Sequence, residues 1–387
     1  MRTKTHFLVV TCMTVALGCL STLFGGQQAR AELKGVDYLA GAQTGNPGLK
    51  SIGRMSFGPS GLLLVADPAG AAVVAIDTGD TGPLVKLKKR IDNVNNLIAT
   101  SMKAKPEGVK IEDMVVNPKS GKVYLSVRRQ QDNHFAILTV DTDGKINPLD
   151  LEKSRYVRVT LPAAKNAKLR NINSVAFAED GVLATGQCTD ELANKIYSIP
   201  FPLEHGSKAN IYSAEVYHIS HRRWETKTPI QSFIPFEKDG EHYLVGGFGC
   251  TPLVRFPLDE LKSGDSVLGA SIIELGSGNR PLDMFTYQKD GRNWLVTNTF
   301  RFHFKKNLFG PSKWWGVRVD MGYISTDKIN ENAVRRDTKN KTGPDGVEIM
   351  DVLFGVVQVD KLNDDEIMVL RDRDDSGKLD LELAKLP

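Results

Sequence analysis

Polar residues at the starts of predicted strands form the first candidate site. Asp113 and Asp283 each stand directly before an apolar run, and Asn173 lies beside the equivalent position of another run. Carboxylate and amide oxygens are the ligands that hard divalent cations prefer. We therefore expect these three residues to hold a metal ion that activates a water molecule for hydrolysis. The alternative is that they only hydrate a narrow channel.

A second candidate set is basic and aromatic, and it falls in predicted loops and strand entries. Guanidinium groups suit carboxylate, phosphate or sulfate recognition, and Trp rings stack on sugars or bases. We expect the set to converge on one face that binds an anionic small molecule, a glycan or a protein partner. The alternative is a solvated loop face with surface charge. The set comprises Arg54, Arg128, Arg129, His134, His218, His221, Arg222, Arg223, Trp224, Arg301 and His303.

His218 and His221 stand three residues apart within this set. A zinc site needs more than two ligands. We find no third His or acid close by in the sequence and do not predict a zinc site at this pair.

A calcium-like spacing occurs near the C-terminal end. Asp372, Asp374, Ser376 and Asp380 occupy loop positions 1, 3, 5 and 9, with glycine at position 6. Position 12 is Leu383, where a bidentate Glu is expected, and the flanks are typical of strands. The alternatives are a weak calcium site and a polar hairpin turn. No other cofactor is evident.

A repeat of about sixty residues must position these groups. Each unit contains an apolar strand, a glycine turn, a second strand and, further on, a third. The turn glycines are spaced 60, 60, 59 and 51 residues apart, at Gly61, Gly121, Gly181, Gly240 and Gly291. Antiparallel meanders at this period predict an all-β, six-bladed β-propeller with four-stranded blades, and seven blades are the alternative.

The sixth repeat unit is incomplete. Segments 356–362, 366–370 and 378–386 supply three strands. We expect residues 36–40 to supply the missing strand, because closing the last blade with an N-terminal strand removes a sheet edge.

Cys188 and Cys250 occupy matching positions in consecutive units. Such positions lie roughly a blade apart, beyond the ~7 Å limit between Cα atoms for a disulfide unless the loops lean inward. A disulfide, two buried thiols, and a metal or redox role all remain open.

The N-terminus carries the pattern of a signal peptide. Arg2 and Lys4 precede an apolar run, and residues 29–31 give an Ala-Arg-Ala exit. We expect cleavage of 1–31, with a membrane anchor as the alternative, and a single periplasmic or secreted domain over 32–387. No later segment is apolar enough to span a bilayer. Cleavage removes Arg2, Lys4 and Arg30 but no acid, so the net charge falls from +4 to +1 and nucleic-acid binding is not indicated.

A basic insertion at about 302–345 interrupts the repeat. Residues 301–345 contain ten Lys/Arg against five Asp/Glu. This composition is typical of a solvated excursion, and the alternative is a flap or partner-binding arm with a preference for anions.

The repeat resembles the six-bladed propeller superfamily of NHL-repeat, TolB-like and gluconolactonase/paraoxonase-like proteins. The resemblance covers nearly the whole chain after residue 31, and it implies the fold but no single activity. Lactonase-branch enzymes show a Gly-Glu-Gly-Pro entry and an Asn-Asp-Gly metal segment, and this chain has neither. No catalytic residue is therefore carried over.

The sequence thus favours an exported binding module with a basic, aromatic face. The alternative is a metal-dependent hydrolase or lactonase-like enzyme acting at the channel mouth. No Ser-His-Asp signature, P-loop or dinucleotide fingerprint is present. A structural partner in an exported complex is a third interpretation.

Overall fold

The computed structural model describes residues 37–218, 221–249, 252–275, 278–302, 312–326 and 346–387. The predicted signal peptide, Cys250, His303 and most of the basic insertion lie outside these ranges. Within the described ranges, no helix is both long and apolar enough to cross a membrane.

Regular structure is almost entirely β. In chain order the strands are β1 (Leu39–Ala40), β2 (Gln43–Gly45), β3 (Met55–Phe57), β4 (Leu62–Asp67), β5 (Ala72–Asp77), β6 (Val109–Val116), β7 (Val123–Arg129), β8 (His134–Val140), β9 (Ile146–Pro148), β10 (Ser154–Thr160), β11 (Leu169–Phe177), β12 (Gly181–Cys188), β13 (Asn194–Pro200) and β14 (Leu203–Glu204). They continue with β15 (Asn210–His218), β16 (Arg223–Glu225), β17 (Ile230–Lys238), β18 (Glu241–Phe248), β19 (Pro252–Pro257), β20 (Ser266–Glu274), β21 (Asn279–Lys289), β22 (Arg292–Arg301), β23 (Trp314–Asp320), β24 (Val347–Ile349), β25 (Val356–Lys361), β26 (Glu366–Asp372) and β27 (Leu379–Lys385). The α-helices of the described residues are α1 (Val94–Ser101) and α2 (Met321–Ile324).

The strands pair as small antiparallel meanders. One sheet has the order β2-β10-β5-β4-β3, and others have the orders β6-β7-β8-β9, β21-β22-β23-β24 and β25-β26-β27. A larger sheet contains two meanders, β11-β12-β13-β15 and β17-β18-β19-β20, which meet where β15 runs parallel to β20. Glycine turns link first to second strands as predicted, with positive φ at Gly61, Gly121, Gly240 and Gly291.

Gly181 is the exception among the predicted turn glycines. It does not adopt a positive φ. A Cβ at this position would lie 2.2 Å from the carbonyl oxygen of Ile199, so close packing of two backbones, rather than turn geometry, requires glycine here.

The inner strands of the meanders surround a central channel. Contacts run from β3 to β6, β25, β21, β17 and β11 and then return to β3. Sheets arranged radially around such a ring form a β-propeller. The all-β propeller prediction is therefore confirmed.

The order of the ring differs from the order of the chain. β6 lies between β25 and β3, whereas sequence order would place β6 between β3 and β11. The chain leaves the first sheet after β5, builds β6 to β9, and then returns to add β10 to β5. The first and second meanders are thus interleaved, a feature that the repeat spacing does not reveal.

The predicted closure of the last sheet by an N-terminal strand is wrong. β1 runs parallel to β14, and β2 pairs with β10, so neither reaches β27. The outer edge of β27 is instead met by Ile91, whose N–H and C=O each bond to Leu381 at 2.9 Å. The backbone of the crossover segment before α1 therefore pairs with the outer edge of β27, which the N-terminal strand was expected to cover.

Helix α1 anchors this crossover in the core. Ile98 is fully buried in a cluster that includes Leu125 from β7 and Leu370 from β26. Burying a side chain of this size contributes about 1.5–3 kcal/mol. The helix therefore holds together two neighbouring sheets that come from opposite halves of the chain.

Candidate functional site

The narrow end of the channel is crossed by the side chain of Arg54. Its Nη1 donates to Asp113 Oδ1 at 2.7 Å and to Asp283 Oδ1 at 2.6 Å. Its Nη2 donates to the carbonyl oxygen of Leu282 at 3.2 Å. Arg54 directly precedes β3, and β21, which carries Asp283, stands on the opposite side of the ring.

Three aspartates at this level tie neighbouring inner strands together. Each carboxylate accepts a backbone N–H from the next strand around the ring. The N–H groups of Val359, Val116 and Met55 donate to Asp283 at 3.0 Å, Asp360 at 2.7 Å and Asp113 at 2.7 Å, respectively. The links run from β21 to β25, from β25 to β6 and from β6 to β3.

Asp360 was missed by the sequence reasoning. It lies within β25 and precedes Lys361, whereas Asp113 and Asp283 precede Met114 and Met284. Asp360 therefore lacks the pattern of a polar residue directly before an apolar one. Strand position also differs: the residue that follows the register shift is Asp113 in β6 but Gln358 in β25, so Asp360 lies two residues further along its strand.

Burial shifts the protonation equilibria of this group. Loss of solvation is the main reason that the pKa of Asp113 rises to about 6 and that of Asp360 to about 7. Burial opposes the charge of Arg54, but the carboxylates of Asp113 and Asp283 outweigh it and raise the pKa of Arg54. The narrow end of the channel therefore holds the Arg54 cation beside two acids, Asp113 and Asp360, whose pKa values lie near neutral.

A cavity of about 1560 Å³ extends from this group along the channel. It reaches exposed turns between first and second strands, so it opens at the end opposite Arg54. Acidic side chains outnumber Lys and Arg in its wall. The acids are Asp113, Glu179, Asp180, Glu237, Asp239, Asp259, Asp283, Asp320 and Asp360, and the Lys and Arg residues are Arg54, Lys119, Lys238, Arg292 and Lys361.

Aromatic rings also line the cavity. Phe57, Phe177, Phe236 and Tyr243 are each partly exposed. Phe236 and Tyr243 face each other across β17 and β18, with ring centroids 6.2 Å apart. The wall thus combines flat apolar surfaces with carboxylates.

The residues predicted to bind metal at the channel mouth are only partly brought together. Asp113 and Asp283 meet, but the Arg54 guanidinium lies between them. Asn173 does not join them: its neighbour Ser174 lines the cavity, whereas Asn173 does not, and its Oδ1 accepts a bond from Asn171 at 2.7 Å. No hydrogen bond of the described residues links Asn173 to either carboxylate.

The predicted basic face is largely neutralised by its own surroundings. Arg128 bonds to Glu112 at 2.7 Å, and Arg129 binds Asp132 at 2.8 Å and the carbonyl oxygen of Met102. His134 is exposed beside this pair. These side chains lie near one another on adjoining strands β7 and β8, where they serve local ion pairs.

Arg301 does not belong to an exposed face. Only 5% of it is exposed, and its Nη2 donates to the carbonyl oxygen of Ser312. Its guanidinium stacks over the ring of Trp315, with 4.8 Å to the centroid. Burial lowers its pKa to about 10. Its prediction as a surface residue is wrong because Trp315 offers a buried ring that holds the cation by stacking.

His218 and His221 belong to a compact cluster with Glu225. His221 Nδ1 lies 2.6 Å from Glu225 Oε1, and His218 Nδ1 lies 3.3 Å from Glu225 Oε2. One ligand atom from each of the three residues lies within 4.8 Å of the others. On its other side, His218 Nε2 lies 3.8 Å from Oε1 of the buried Glu274.

Glu225 is an acid close to the histidine pair in the sequence, so the expectation that none lies nearby is wrong. Glu225 follows His221 by four residues, and a hairpin brings it back over His218. Arg222, Arg223 and Trp224 of this hairpin are each exposed. The hairpin was missed because the segment before β17 was treated as a loop.

The calcium-like segment forms a hairpin turn between β26 and β27. Asp372 accepts the N–H of Gly377, and Asp374 accepts the N–H of Ser376. Asp380 accepts the N–H of Asn93 and pairs with Arg373. These oxygens therefore stabilise the turn and its link to the segment before α1.

Cys188 is a free, buried thiol. Its Sγ lies 3.6 Å from the hydroxyl of Tyr197 on the neighbouring strand. Of the alternatives left open for Cys188, its placement corresponds to the buried thiol, which packs within its own sheet. Cys250, the other cysteine of the disulfide alternative, lies outside the described residues.

No family model and no curated protein sequence matches the chain. Solved structures match at low identity. An exo-1,5-α-L-arabinanase from a bovine ruminal metagenomic library is 13% identical, over 72% of this chain and 93% of its own, with a TM-score of 0.36. The PQQ-bound aldose sugar dehydrogenase from Streptomyces coelicolor is 15% identical, over 89% and 97%, with a TM-score of 0.29. The extracellular region of plexin A4 is 6% identical, over 89% and 51%, with a TM-score of 0.42. Similarities this distant support no inference about activity or ligand.

Proposed function

We propose that this chain is an exported, six-bladed β-propeller that binds a neutral or cationic glycan in its central channel. The observation that carries the proposal is the cavity of about 1560 Å³, which combines an acidic wall with partly exposed aromatic rings. Large concave cavities with a few convergent polar groups are the usual ligand sites of proteins. Export rests on the signal-peptide pattern of residues 1–31.

Six blades are supported by the ring of six inner strands: β3, β6, β25, β21, β17 and β11. The sheet β25-β26-β27 counts as the sixth blade, with the Ile91 segment in place of a fourth strand. The relationship to NHL-repeat and TolB-like propellers is part of the same proposal.

Charge favours a glycan over an anion as the ligand. The cavity wall holds nine acids against five Lys and Arg residues, so an anion entering it would be repelled. On the predicted basic face, Arg128 and Arg129 already have carboxylate partners. Carboxylates accept hydrogen bonds from sugar hydroxyls, and rings such as Phe236 and Tyr243 provide flat surfaces for sugar faces.

A metal-dependent hydrolase or lactonase-like enzyme at the narrow end is the second candidate. It is favoured by the meeting of Asp113 and Asp283. An ion shared by these carboxylates would have to displace Arg54, whose charge they already balance. This candidate therefore predicts that the Arg54→Met variant gains a bound divalent ion, which elemental analysis would detect.

Calorimetric titration with neutral, cationic and anionic oligosaccharides tests the glycan proposal. We expect binding of a neutral or cationic glycan, with at least a tenfold loss of affinity in Phe236→Ala and in Tyr243→Ala. Trp224→Ala is the matched control, because Trp224 is 49% exposed and lies outside the cavity wall. Binding restricted to anionic glycans, or unchanged in both cavity variants, would refute the proposal.

A further inference from the structure

The hairpin of β15 and β16 places His218 and Glu225 on the same face. Val216 pairs with Glu225, and His218 pairs with Arg223 in antiparallel register. Residues two apart on one strand share a face, and they share it with the residues paired directly opposite on the neighbouring strand. Glu225 therefore lies diagonally across from His218 on one face of the hairpin. The alternate face carries Tyr217 and Trp224, whose rings pack edge to face with centroids 5.8 Å apart.

These two faces differ sharply in burial. His218 is 1% exposed and Glu274 is fully buried, whereas Tyr217 and Trp224 are 38% and 49% exposed. Two carboxylates, Glu225 and Glu274, therefore flank one buried imidazole. His221 lies on the solvent side of the cluster, with 46% of its side chain exposed. An ion can therefore reach the cluster from this side.

We propose that His218, His221 and Glu225 bind a zinc ion, with Glu274 as a positioning residue for His218. Two imidazole nitrogens and one carboxylate form a donor set that suits Zn²⁺, whereas calcium and magnesium prefer oxygen ligands alone. Tetrahedral coordination at about 2.0–2.2 Å sets the ligand atoms roughly 3.3 Å apart. The ligand atoms already lie within 4.8 Å of one another.

The surroundings of these ligands match those of known zinc sites. A metal-binding His commonly donates its second ring N–H to a carboxylate, which fixes its orientation. Here the Nδ1 side of His218 faces Glu225, and its Nε2 lies 3.8 Å from Glu274. Arg223 and Thr228 donate to the two oxygens of Glu225 and hold that carboxylate in place.

The carboxylate of Glu225 faces both imidazoles. Its Oε1 lies 2.6 Å from His221 Nδ1, and its Oε2 lies 3.3 Å from His218 Nδ1. Three protein ligands leave one tetrahedral position for water or for a group on a ligand. The site is therefore open, on the side where His221 meets solvent.

Zinc content after equilibration with buffered Zn²⁺ tests the proposal, on the full chain with any affinity tag removed. We expect about one zinc per chain, a four-coordinate absorption spectrum after Co²⁺ substitution, and loss of both in His221→Ala and Glu225→Gln. His221 is exposed, so its variant is expected to keep the fold, which circular dichroism would check. The matched control is His242→Ala, because His242 pairs with Asp259 at 3.0 Å and belongs to no three-residue ligand cluster of the described chain.

Glu274→Gln tests the positioning role. We expect about a 10- to 100-fold loss of zinc affinity with the one-to-one stoichiometry retained. A zinc content near zero in the native chain, or an equal content in His221→Ala, Glu225→Gln and the native chain, would overturn the proposal. None of His218, His221, Glu225 and Glu274 lines the cavity, so failure of the zinc site would leave the glycan titrations unaffected.

Discussion

Arg54 and Asp283 join opposite sides of the propeller channel. The guanidinium of Arg54 lies 2.6 Å from the carboxylate of Asp283 and 2.7 Å from that of Asp113. Arg54 directly precedes β3, Asp113 lies in β6 and Asp283 lies in β21, and these three strands belong to three different sheets. A single side chain therefore bridges three sheets at the narrow end, and the closure of the ring is expected to depend on its charge.

Replacement of Arg54 by Met should destabilise the fold by about 3–5 kcal/mol, because it leaves the buried Asp113 and the partly buried Asp283 without their cation. Urea unfolding followed by circular dichroism would measure the loss. The matched control is Arg155→Met, since Arg155 lies 2.6 Å from Asp37 but both side chains are well exposed, at 41% and 62%. An exposed pair of this kind is worth at most about 1 kcal/mol.

The double variant Arg54→Met/Asp283→Asn separates charge from packing. Removing one stranded carboxylate should restore part of the stability, so the two substitutions should be non-additive. Additive losses would show that Arg54 acts through packing alone.

Asp360→Asn should become relatively more stable than the native protein as the pH rises from 5 to 8. Burial raises the pKa of Asp360 from 3.8 to about 7 in the folded state. Because the folded protein binds this proton more tightly than the unfolded chain does, the proton stabilises the fold. That stabilisation is complete below the pKa of Asp360 in the unfolded chain and is lost as the pH rises through 7. The change is limited to about 1.4 kcal/mol per pH unit. Asn carries no titrating proton, so the difference between variant and native protein should grow with pH.

Asp374→Asn is the control for this titration. Asp374 is exposed, and hydrogen bonds within the Ser376 turn lower its pKa. Asp374 is fully ionised above the ordinary pKa of an aspartate, in both the folded and the unfolded chain. The difference in stability between variant and native protein should therefore stay constant from pH 5 to 8. A constant difference for Asp360→Asn as well would contradict the raised pKa of Asp360.

The sequence predicted the propeller because local chemistry determines it. Glycine turns and alternating strands recur at each unit, and strand pairing between sequence neighbours follows from them. The interleaving of the first two meanders could not be predicted. It depends on the pairing of β10 with β5 and on the Ile91 bridge to Leu381, contacts between segments distant in sequence.

The candidate sites show the same limit. Asp113 and Asp283 were placed together because equivalent strand starts meet at one end of a propeller. That Arg54 would lie between them, rather than an ion, depends on the direction of a long side chain. Glu225 was missed because a three-residue strand, β16, carries too little pattern to mark a hairpin.

Cys188 should be almost inert toward thiol reagents in the folded protein. Burial raises the pKa of its thiol, and only 1% of the residue is exposed. The thiolate is the reactive form, so both effects slow the reaction. A chain with Cys12→Ser, Cys19→Ser and Cys250→Ser leaves Cys188 alone, and a chromogenic disulfide reagent would report one thiol only after unfolding. Rapid reaction under native conditions would contradict the buried placement.

A disulfide between positions 91 and 381 should form in the same triple-Ser chain carrying Ile91→Cys and Leu381→Cys. These residues exchange both backbone hydrogen bonds at 2.9 Å, a pairing that sets Cα atoms about 5.5 Å apart and within disulfide range. Peptide mapping after mild oxidation would detect the intramolecular bond. The control pair is Ile91→Cys with Leu383→Cys, because position 383 is displaced two residues along β27 and lies beyond reach of the same backbone pairing. Equal oxidation of both pairs, or only intermolecular bonds, would mean that the crossover before α1 does not hold the edge of the last sheet. Selective oxidation of the first pair would show that this segment occupies the place expected for the N-terminal strand.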